Sequence, residues 1–583
     1  MTDGDLSLTC ARALVEGLAD DGVRHACVSP GSRSTPIALA FARNEQITLH
    51  VHLDERSAAF FGLGLAKATG EPVAVACTSG TAAAEFFPAI VEASQSRTPL
   101  VVLTADRPPE VRGTGANQTI DQSELYGRYA RAYFDLPVPR EPGDVAAWFM
   151  AAAEVVLDAK APVPGPVHIN CPFDEPLTPT EPRSSERLSS YDDGEEWVEG
   201  RTVGTPDVDA FMGRHAGRRG VITLGGMPPP QTLSILSLGT LLGWPVLAEP
   251  SSGLRLEASD AGRALGAGQF LIGDEVWQAR HGPDVVLQIG ATPTTRSTQE
   301  LVANVDTLIV LDDLHLDPDP AGRAAQRIEL QPERFAATTW DQRERFQATT
   351  VDGSWLESWR AADLIARATV DRELDRWEEP FEGRVARDVA SFLPHGATLV
   401  IGSSTPVRDL DVFMAPRRLP RIWNAPDLLR VIGNRGASGI DGLVSTALGA
   451  AMGSNGPTVA LLGDLSFLYD AGALLWSSRL GVDVVFVVLA NGGGQIFSML
   501  EQATLPEFEE LFLTPHPASI SKVCDAAEAG YRSVTRAGEL TSALERAIRD
   551  GGVQVIEVAI DAERDRARRA ELRELVHDAL ASH

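Results

Sequence analysis

The chain has 583 residues, of which 44% are hydrophobic and 22% charged, as expected for a soluble globular protein of about three domains. Its formal net charge of −29 argues against nucleic-acid or anionic-membrane binding, because both need a basic surface. No apolar run reaches the roughly 18 residues of a membrane span, and the first residues lack a signal-peptide pattern, so we expect a cytoplasmic protein.

The first predicted α/β units place polar residues where strands end. A predicted strand at 25–28 precedes a loop that contains Ser32 and Arg33, and a second strand at 48–53 precedes Glu55. Ser32 and Arg33 form an anion-binding pair at a helix N-terminus, although a loop rich in Ser, Gly and Pro is equally typical of a plain turn. Glu55 by itself is most simply a solvated acid in the first turn of a helix. Both interpretations stay open at this point.

Two further units complete the first domain. Their strands end just before Thr78 and Arg107, and the long loop at 108–126 contains Gln118. Strands and helices alternate at βαβ spacing, which predicts a doubly wound parallel sheet with its functional loops on one edge. The loop is too long for a plain connector, and its amides and glycines suit the wall or lid of a site.

The rest of the chain repeats the α/β pattern twice after an acidic segment without hydrophobic periodicity. The central unit contains Arg296 in a loop and has no nucleotide-binding glycine motif, so a structural spacer is the ordinary interpretation. The charged C-terminal tail reads as a solvated helix. We predict a first domain at 1–182, a linker at 183–205, a central domain at 206–345, a helical connection at 346–385 and a third domain at 386–583.

Two buried, β-rich runs of the third domain each end in a polar turn, one at Asp464 and the other at Asn491. Neighbouring parallel strands would bring these two oxygen-bearing side chains together. A carboxylate and an amide carbonyl suit Mg²⁺, a hard cation that also takes diphosphate oxygens. The glycines at 492–494 let the backbone approach a bulky anion. The pattern predicts a metal-bound diphosphate, with two ordinary strand-to-loop turns as the alternative.

Taken together, these motifs resemble the thiamine-diphosphate-dependent decarboxylase and synthase superfamily. The pair Asp464 and Asn491 is similar to its metal-binding signature, with Leu465 in place of the usual second glycine. The superfamily's order of pyrimidine-binding, central and diphosphate-binding domains matches nearly the whole chain. Five blocks are similar to the members that decarboxylate 2-oxoglutarate and add the product to isochorismate in menaquinone biosynthesis, at 29–36, 104–109, 115–118, 434–442 and 493–497.

The resemblance implies a transferase in which Glu55 is catalytic and hydrogen-bonds N1′ of the aminopyrimidine of thiamine diphosphate. It implies Mg²⁺, with Mn²⁺ as the alternative ion, at Asp464, Asn491 and Gly493, and a homodimer or homotetramer with active sites at the subunit interface. The implied cofactor-binding residues are Pro30, Gly31, Glu55, Thr78, Ser404, Ser438, Gly439, Asp464, Leu465, Ser466, Asn491, Gly494, Gln495 and Ile496. The implied substrate-binding residues are Ser32, Arg33, Arg107, Gln118, Arg296, Ser404, Arg408, Arg435, Ile496, Phe497 and Leu500.

Other functions fit the sequence less well. An acetolactate synthase would need a flavin site in the central domain, and a simple 2-keto acid decarboxylase would not need so many arginines at strand ends. The arginines therefore favour two dicarboxylate substrates. A non-catalytic cofactor-binding protein has no need of Glu55, and a nicotinamide oxidoreductase would carry a glycine fingerprint that this sequence lacks.

Overall fold

The computed structural model describes residues 3–180, 206–215, 217–227, 233–258, 262–341, 353–419 and 428–582. The linker predicted at 183–205 lies outside these residues. Among the helices of the described ranges, none has the length and apolar character needed to cross a membrane.

The first domain is a six-stranded parallel sheet with helices on both faces. Its elements are α1 (Asp3–Asp20), β1 (His25–Val28), α2 (Thr35–Arg43), β2 (Thr48–Val51), α3 (Glu55–Thr69), β3 (Val73–Cys77), α4 (Thr81–Glu85), α5 (Phe87–Gln95), β4 (Leu100–Asp106), β5 (Tyr133–Asp135), α6 (Asp144–Lys160) and β6 (Pro166–Pro172). The strand order is β2-β1-β3-β4-β6-β5. Helices α1, α2 and α6 cover one face, and α3 and α5 cover the other. The central strands β3 and β4 are buried at every position, so they are apolar except for Thr104 and Asp106 near the end of β4.

The central domain holds a five-stranded parallel sheet in the order β13-β12-β11-β7-β8. A small sheet joins this domain to the third one: β10 and β9 pair with the strand Arg417–Arg418, which is β15 of the third domain. The elements are α7 (Pro206–His215), β7 (Gly220–Leu224), α8 (Ser234–Leu242), β8 (Val246–Ala248), β9 (Leu256–Ala258), β10 (Gly262–Arg263), α9 (Gly268–Ile272), α10 (Glu275–His281), β11 (Val285–Ile289), α11 (Arg296–Asn304), β12 (Thr307–Leu311), β13 (Gln326–Ile328) and α12 (Pro332–Asp341), followed by the long helix α13 (Ser354–Arg376).

The third domain repeats the six-stranded parallel design, in the order β16-β14-β17-β18-β20-β19. Its elements are α14 (Glu382–Phe392), β14 (Thr398–Ile401), α15 (Thr405–Phe413), β15 (Arg417–Arg418), β16 (Arg430–Gly433), α16 (Leu443–Met452), β17 (Thr458–Gly463), α17 (Asp464–Tyr469), α18 (Leu474–Ser477), β18 (Val484–Ala490), α19 (Ile520–Ala526), β19 (Gly530–Val534), α20 (Leu540–Asp550), β20 (Val553–Ala559) and α21 (Ala562–Ala581).

Helices α3 and α16 join the first and third domains through a shared apolar core. They approach closely because each has a glycine at the contact. A Cβ at Gly64 would overlap the carbonyl oxygen of Thr446, and one at Gly449 would overlap that of Phe61. Helix α3 also begins with Glu55, so this contact fixes the helix that presents the predicted catalytic acid.

The predicted class, three doubly wound α/β domains, is confirmed, whereas the residue numbers of the domain boundaries stay predictions. The expectation of a solvated C-terminal tail is wrong. Helix α21 buries Leu572 and Val576 and also the charged Asp565 and Arg568, so its contact face mixes apolar and charged positions. Such a face gives no amphipathic pattern in the sequence.

Candidate active site

A cavity of about 520 Å³ opens at the carboxyl ends of the first-domain strands. It lies beside β1 and β3, where the strand order changes direction and where open α/β sheets bind ligands. Four of the predicted site residues therefore share one cavity: Pro30, Glu55, Thr78 and Gln118. The full lining is Pro30, Asp54, Glu55, Arg56, Thr78, Thr81, Ala82, Glu85 and Gln118.

Glu55 is the first residue of α3, and Asp54 caps that helix. The Asp54 carboxylate accepts hydrogen bonds from the backbone N–H groups of Arg56 and Ser57 at 2.9 and 3.3 Å. Glu55 is half-buried, and this burial, with smaller contributions from Asp54 and Glu85, raises its pKa above the usual value. An acid with a raised pKa inside a cavity suits proton sharing with a ligand nitrogen.

The loop after β1 approaches the end of β3 closely. A Cβ at Gly31 would overlap the side chain of Thr78, so a larger residue would not fit there. The hydroxyl groups of Ser29 and Thr78 are buried and have no hydrogen-bond partner among the described residues. Buried polar groups are normally satisfied, so these two hydroxyls point to a ligand or water at this edge. Ser32 lies exposed in the same loop.

One wall of this edge carries two arginines. The Arg107 guanidinium donates to the hydroxyl of Ser79 and to the carbonyl oxygen of Gln118, the latter at 2.8 Å. The Gln118 amide in turn donates to the Ser79 carbonyl at 3.1 Å. Burial, and then the nearby charge of Arg33, lowers the pKa of Arg107, while Arg33 pairs with Glu175 at 3.3 Å. We call Arg33 and Arg107 the first arginine pair.

Asp464 and Asn491 lie at the ends of the adjacent strands β17 and β18, as predicted. The Asp464 carboxylate accepts backbone hydrogen bonds from Leu465 at Oδ1 (2.7 Å) and from Gly492 and Gly493 at Oδ2 (2.8 and 3.1 Å). A carboxylate has about four acceptor positions, so one remains on Oδ1. The Oδ1 atom of Asn491 is buried and has no partner among the described residues. Both oxygens fit a hard cation that also binds diphosphate.

The glycine loop after Asn491 is shaped by its backbone. Gly493 has φ +130°, and a Cβ there would overlap the carbonyl oxygen of Leu513. The Gly494 N–H donates to that same carbonyl at 2.7 Å. Across the described ranges, no group of three or more His, Cys, Asp or Glu side chains is arranged to hold a metal ion. Further ligands for a cation at Asp464 and Asn491 must therefore come from the backbone, a phosphate or water.

An apolar surface follows the glycine loop directly. A 3₁₀ turn at Gln495–Met499 carries Ile496 and Phe497, both half-buried, and Leu500 follows with 44% of its surface exposed. The Phe497 ring lies 5.8 Å from that of Phe512. The residues of the predicted apolar wall therefore directly follow the glycine loop, and their contact with cofactor or substrate stays a prediction.

A second arginine pair lies near the ends of the adjacent strands β14 and β16: Arg408 is in α15, which follows β14, and Arg435 is in the loop after β16. Both guanidinium groups donate to the carbonyl oxygen of Ser403, at 3.1 and 3.2 Å, and Arg408 also donates to that of Ser404 at 2.8 Å. Burial lowers the pKa of each arginine, and Arg435 lowers that of Arg408 further. In the part of the chain that the structure describes, no carboxylate lies within 4.0 Å of the guanidinium of Arg107, Arg408 or Arg435.

Other predicted residues are less closely grouped. Arg296 begins α11 with an exposed side chain that pairs with Glu300 at 2.8 Å, although the charge of Glu501, beyond the glycine loop, also acts on it. Its contact with substrate stays a prediction. Ser438 is exposed with φ +61°, and Gly439 lies beside Asp441. Ser466 is buried in α17.

Among the residues that the structure describes, the two edges do not share a cavity. Only first-domain residues line the cavity at Glu55. Asp464 has its hydrogen bonds to its own domain. The first and third domains contact each other through α3 and α16, through Glu92 and the loop after β16, and through Arg56 and Asp470. Neither Glu55 nor Asp464 takes part in these contacts. Each edge is therefore half of the predicted site.

Two residues near Asp464 and Asn491 were not predicted from the sequence. His516 Nε2 lies 3.3 Å from Oδ2 of Asp464, and Glu382 Oε1 accepts a hydrogen bond of 2.6 Å from the Asn491 amide. Glu382 is 109 positions away in the chain and reads locally as an ordinary acid at a helix start. No local signal distinguishes it, because the contact exists only in the folded chain.

Family models match both edges of this arrangement. Residues 8–125 match the thiamine pyrophosphate enzyme N-terminal TPP binding domain, and residues 419–558 match the C-terminal TPP binding domain. The first range contains Glu55 and the cavity, and the second contains Asp464 and Asn491. The unpartnered Asn491 Oδ1, the vacant acceptor position on Asp464 and the tight glycine loop all fit a metal-bound diphosphate.

Relatives extend the match over the whole chain. The chain is 41% identical to 2-succinyl-5-enolpyruvyl-6-hydroxy-3-cyclohexene-1-carboxylate synthase of Thermobifida fusca, covering 99% of both chains. It is 40% identical to the synthase of the same name from Geobacillus thermodenitrificans, over 94% of this chain and 92% of that one, and 38% identical to that of Haloarcula marismortui over the full length of both. Such identity, with both thiamine-diphosphate-binding domains present, places the chain in the 2-succinyl-5-enolpyruvyl-6-hydroxy-3-cyclohexene-1-carboxylate synthase family of thiamine-diphosphate-dependent enzymes.

Proposed function

We propose that the protein decarboxylates 2-oxoglutarate with thiamine diphosphate and adds the succinyl carbanion equivalent to isochorismate in a 1,4 sense. The product is 2-succinyl-5-enolpyruvyl-6-hydroxy-3-cyclohexene-1-carboxylate, an intermediate of menaquinone biosynthesis. The relatives' shared name supports this reaction over the other reactions of the superfamily.

The observation that carries the proposal is the presence of two arginine pairs at strand ends. Arg107, Arg408 and Arg435 donate to hydroxyl or carbonyl oxygens and have no close carboxylate partner among the described residues. The two substrates carry about four negative charges, and the chain has a net charge of −29. Hydrogen bonds to charged groups contribute about 1.5–3 kcal/mol each, enough to hold two dicarboxylates against that overall charge.

Each group at the site has a role that follows from its surroundings. Bound thiamine diphosphate supplies the electron sink for loss of carbon dioxide. Glu55 holds a proton against N1′ of the pyrimidine, which its raised pKa favours. Asp464, Asn491 and Gly493 would hold Mg²⁺, or Mn²⁺ in its place, against the diphosphate. Ile496, Phe497 and Leu500 exclude water from the reacting carbons, and the arginine pairs bind the carboxylates.

We further propose that the functional unit is a homodimer or homotetramer in which one subunit's Glu55 faces another's metal-binding pair. The separation of the two edges within one chain supports this arrangement. Next to Glu55, the exposed apolar side chains of Val51 and Leu53, and Tyr469 over which Arg56 stacks, offer a surface for the second subunit.

The test is carbon dioxide release from 2-oxoglutarate with thiamine diphosphate and Mg²⁺, measured with and without isochorismate. We expect steady turnover only when isochorismate is present, together with formation of the adduct. Sustained release from 2-oxoglutarate alone would identify a decarboxylase instead, and cofactor binding without any turnover would identify a non-catalytic protein.

A further inference from the structure

The side-chain amide of Asn491 has a fixed direction. Its Nδ2 donates to Glu382 Oε1 at 2.6 Å, and its Oδ1 is buried without a partner among the described residues. Oxygen and nitrogen of an asparagine amide have nearly the same shape, so packing alone does not decide which one faces a cation. Both oxygens of Glu382 accept hydrogen bonds, Oε1 from Asn491 Nδ2 and Oε2 from Arg569. Burial raises the pKa of Glu382, and the charge of Arg569 opposes that shift and favours the accepting carboxylate. A carboxylate does not donate, so Glu382 holds Nδ2 and leaves Oδ1 for the metal.

Glu382 is itself held in place by ion pairing. It is 2% exposed at the start of α14, and its Oε2 accepts a hydrogen bond from Arg569 Nη2 at 3.0 Å. Its backbone N–H donates to the carboxylate of Asp565 at 2.9 Å. Both oxygens and the backbone of Glu382 are therefore engaged, which leaves this side chain little freedom to turn away from Asn491.

Arg569 belongs to the C-terminal helix α21 and joins three buried carboxylates. Its guanidinium donates to Glu382, to both oxygens of Asp409 and to Asp565, the last at 2.7 Å. It also lies 5.3 Å from the ring centroid of Phe381. The Arg569 guanidinium thus joins three helices that are far apart in the chain, α14, α15 and α21. It lies next to Glu382, which contacts Asn491.

We infer that Glu382 is a positioning residue that orients the metal ligand Asn491, and that Arg569 of the C-terminal helix anchors it. The inference rests on the proposed role of Asn491 as a metal ligand. It assigns a function to the last helix of the chain: α21 completes the support of the metal site. Outer-shell partners of this kind typically change metal affinity by about 10- to 100-fold when they are replaced.

Exchanging the carboxylate at position 382 and the amide at position 491, first singly and then together, tests the inference. Glu382→Gln offers Asn491 a donor as well as an acceptor, so either amide direction forms a hydrogen bond, and Mn²⁺ affinity should fall about 10- to 100-fold. Asn491→Asp places two carboxylates in contact and removes the donor, so the hydrogen bond between positions 382 and 491 is lost and replaced by repulsion. The double variant Glu382→Gln with Asn491→Asp restores one donor and one acceptor at unchanged net charge, and should bind Mn²⁺ at least tenfold more tightly than Asn491→Asp.

Free Mn²⁺ is measured by electron paramagnetic resonance while the protein is titrated at saturating thiamine diphosphate, so the readout does not depend on turnover. Arg568→Met is the matched control. Arg568 lies beside Arg569 on α21, binds Glu379 at 2.7 Å and lies over the Trp377 ring, and has no hydrogen bond to Glu382. The Arg568→Met variant should have a lower melting temperature than wild type and an Mn²⁺ affinity within about twofold of it.

The outcomes separate the two proposals. If Asn491→Ala binds Mn²⁺ as wild type does, the proposed metal site is wrong. If Asn491→Ala loses affinity but Glu382→Gln does not, or if the double variant binds no more tightly than Asn491→Asp, the positioning role of Glu382 is wrong and the metal site stands. Loss of affinity in Arg568→Met equal to that in Glu382→Gln would assign the effect to general destabilisation of α21.

Discussion

The first and third domains have the same sheet and use it differently. Numbered by their order along the chain within each sheet, the strands of both run 2-1-3-4-6-5. The central sheet is the shorter variant 2-1-3-4-5. In the first and third domains, polar groups follow the third and fourth strands: Thr78 and Arg107 in one, Asp464 and Asn491 in the other.

The carboxyl groups at the two edges, Glu55 and Asp464, differ in burial and in hydrogen bonding. Glu55 is half-buried and its pKa is raised by burial, which suits an acid that exchanges a proton. Asp464 is 1% exposed and accepts three backbone N–H hydrogen bonds, which fix its carboxylate at the end of β17 where the proposed metal would bind. One topology therefore carries both the proposed proton donor and the proposed metal ligand, each in different hydrogen-bond surroundings.

The largest expected effect comes from removing the acid on the first-domain edge. Glu55→Gln should lower turnover by about 10²- to 10⁴-fold, since general acid–base catalysis contributes that much, while thiamine diphosphate and Mg²⁺ still bind at the other edge. Turnover and equilibrium dialysis of the cofactor measure the two quantities. Glu71→Gln, on the surface of the same domain, is the control. If Glu55→Gln loses cofactor binding as much as turnover, then the first-domain edge also contributes to cofactor binding, and the proposed separation of the two roles is wrong.

Replacing the arginines should have the second largest effect on activity. Arg107→Met and Arg435→Met each remove hydrogen bonds to a substrate carboxylate, so kcat/KM should fall about 10- to 150-fold, corresponding to about 1.5–3 kcal/mol. Steady-state kinetics with each substrate varied in turn will assign one pair to each dicarboxylate. Arg140→Met, which removes an exposed ion pair with Glu110, should leave kcat/KM unchanged. If every arginine variant lowers kcat/KM equally for both substrates, the idea that each pair binds one dicarboxylate is wrong.

The sequence predicts the parts of this comparison that depend on local patterns. Runs such as Val73–Cys77 and Val484–Ala490 are continuously apolar because parallel strands are buried on both faces, and the strand ends then place Asp464 beside Asn491. The direction of the Asn491 amide was not predictable, because it depends on Glu382 and Arg569 from distant segments. Such ion pairs leave no periodic trace, and this is also why the docked helix α21 reads as a solvated tail.

The contact that joins the two domains should respond to a single methyl group. Gly449→Ala forces a Cβ against the Phe61 carbonyl in the close approach of α16 to α3, and should cost about 1–3 kcal/mol of stability, measured as a lower melting temperature. The control is Gly213→Ala in α7, where a Cβ meets no atom within 4 Å. That change should be neutral or stabilise by up to about 1 kcal/mol. Equal effects would mean that the helix contact is not tight.

The last expected effect, at most about 1.4 kcal/mol for each pH unit, is a dependence of stability on pH that has opposite signs in the two domains. In the first domain, burial lowers the pKa of His168 to about 3. Between pH 6.5 and 3, His168 is therefore protonated in the unfolded chain but neutral in the folded one. The free energy of unfolding falls as the pH falls through that window. In the third domain, burial raises the pKa of Asp470 to about 6 from its usual 3.8, so stability falls as the pH rises from 3.8 to 6.

Two variants isolate these slopes. The melting temperature of His168→Asn relative to wild type should rise as the pH falls below 6.5, and that of Asp470→Asn relative to wild type should rise as the pH rises toward 6. Each slope is at most about 1.4 kcal/mol per pH unit. Calorimetric scans between pH 4 and 7 measure both, and each variant serves as the other's control. Slopes of the same sign would mean that the two domains do not differ in the kind of buried group that limits their stability.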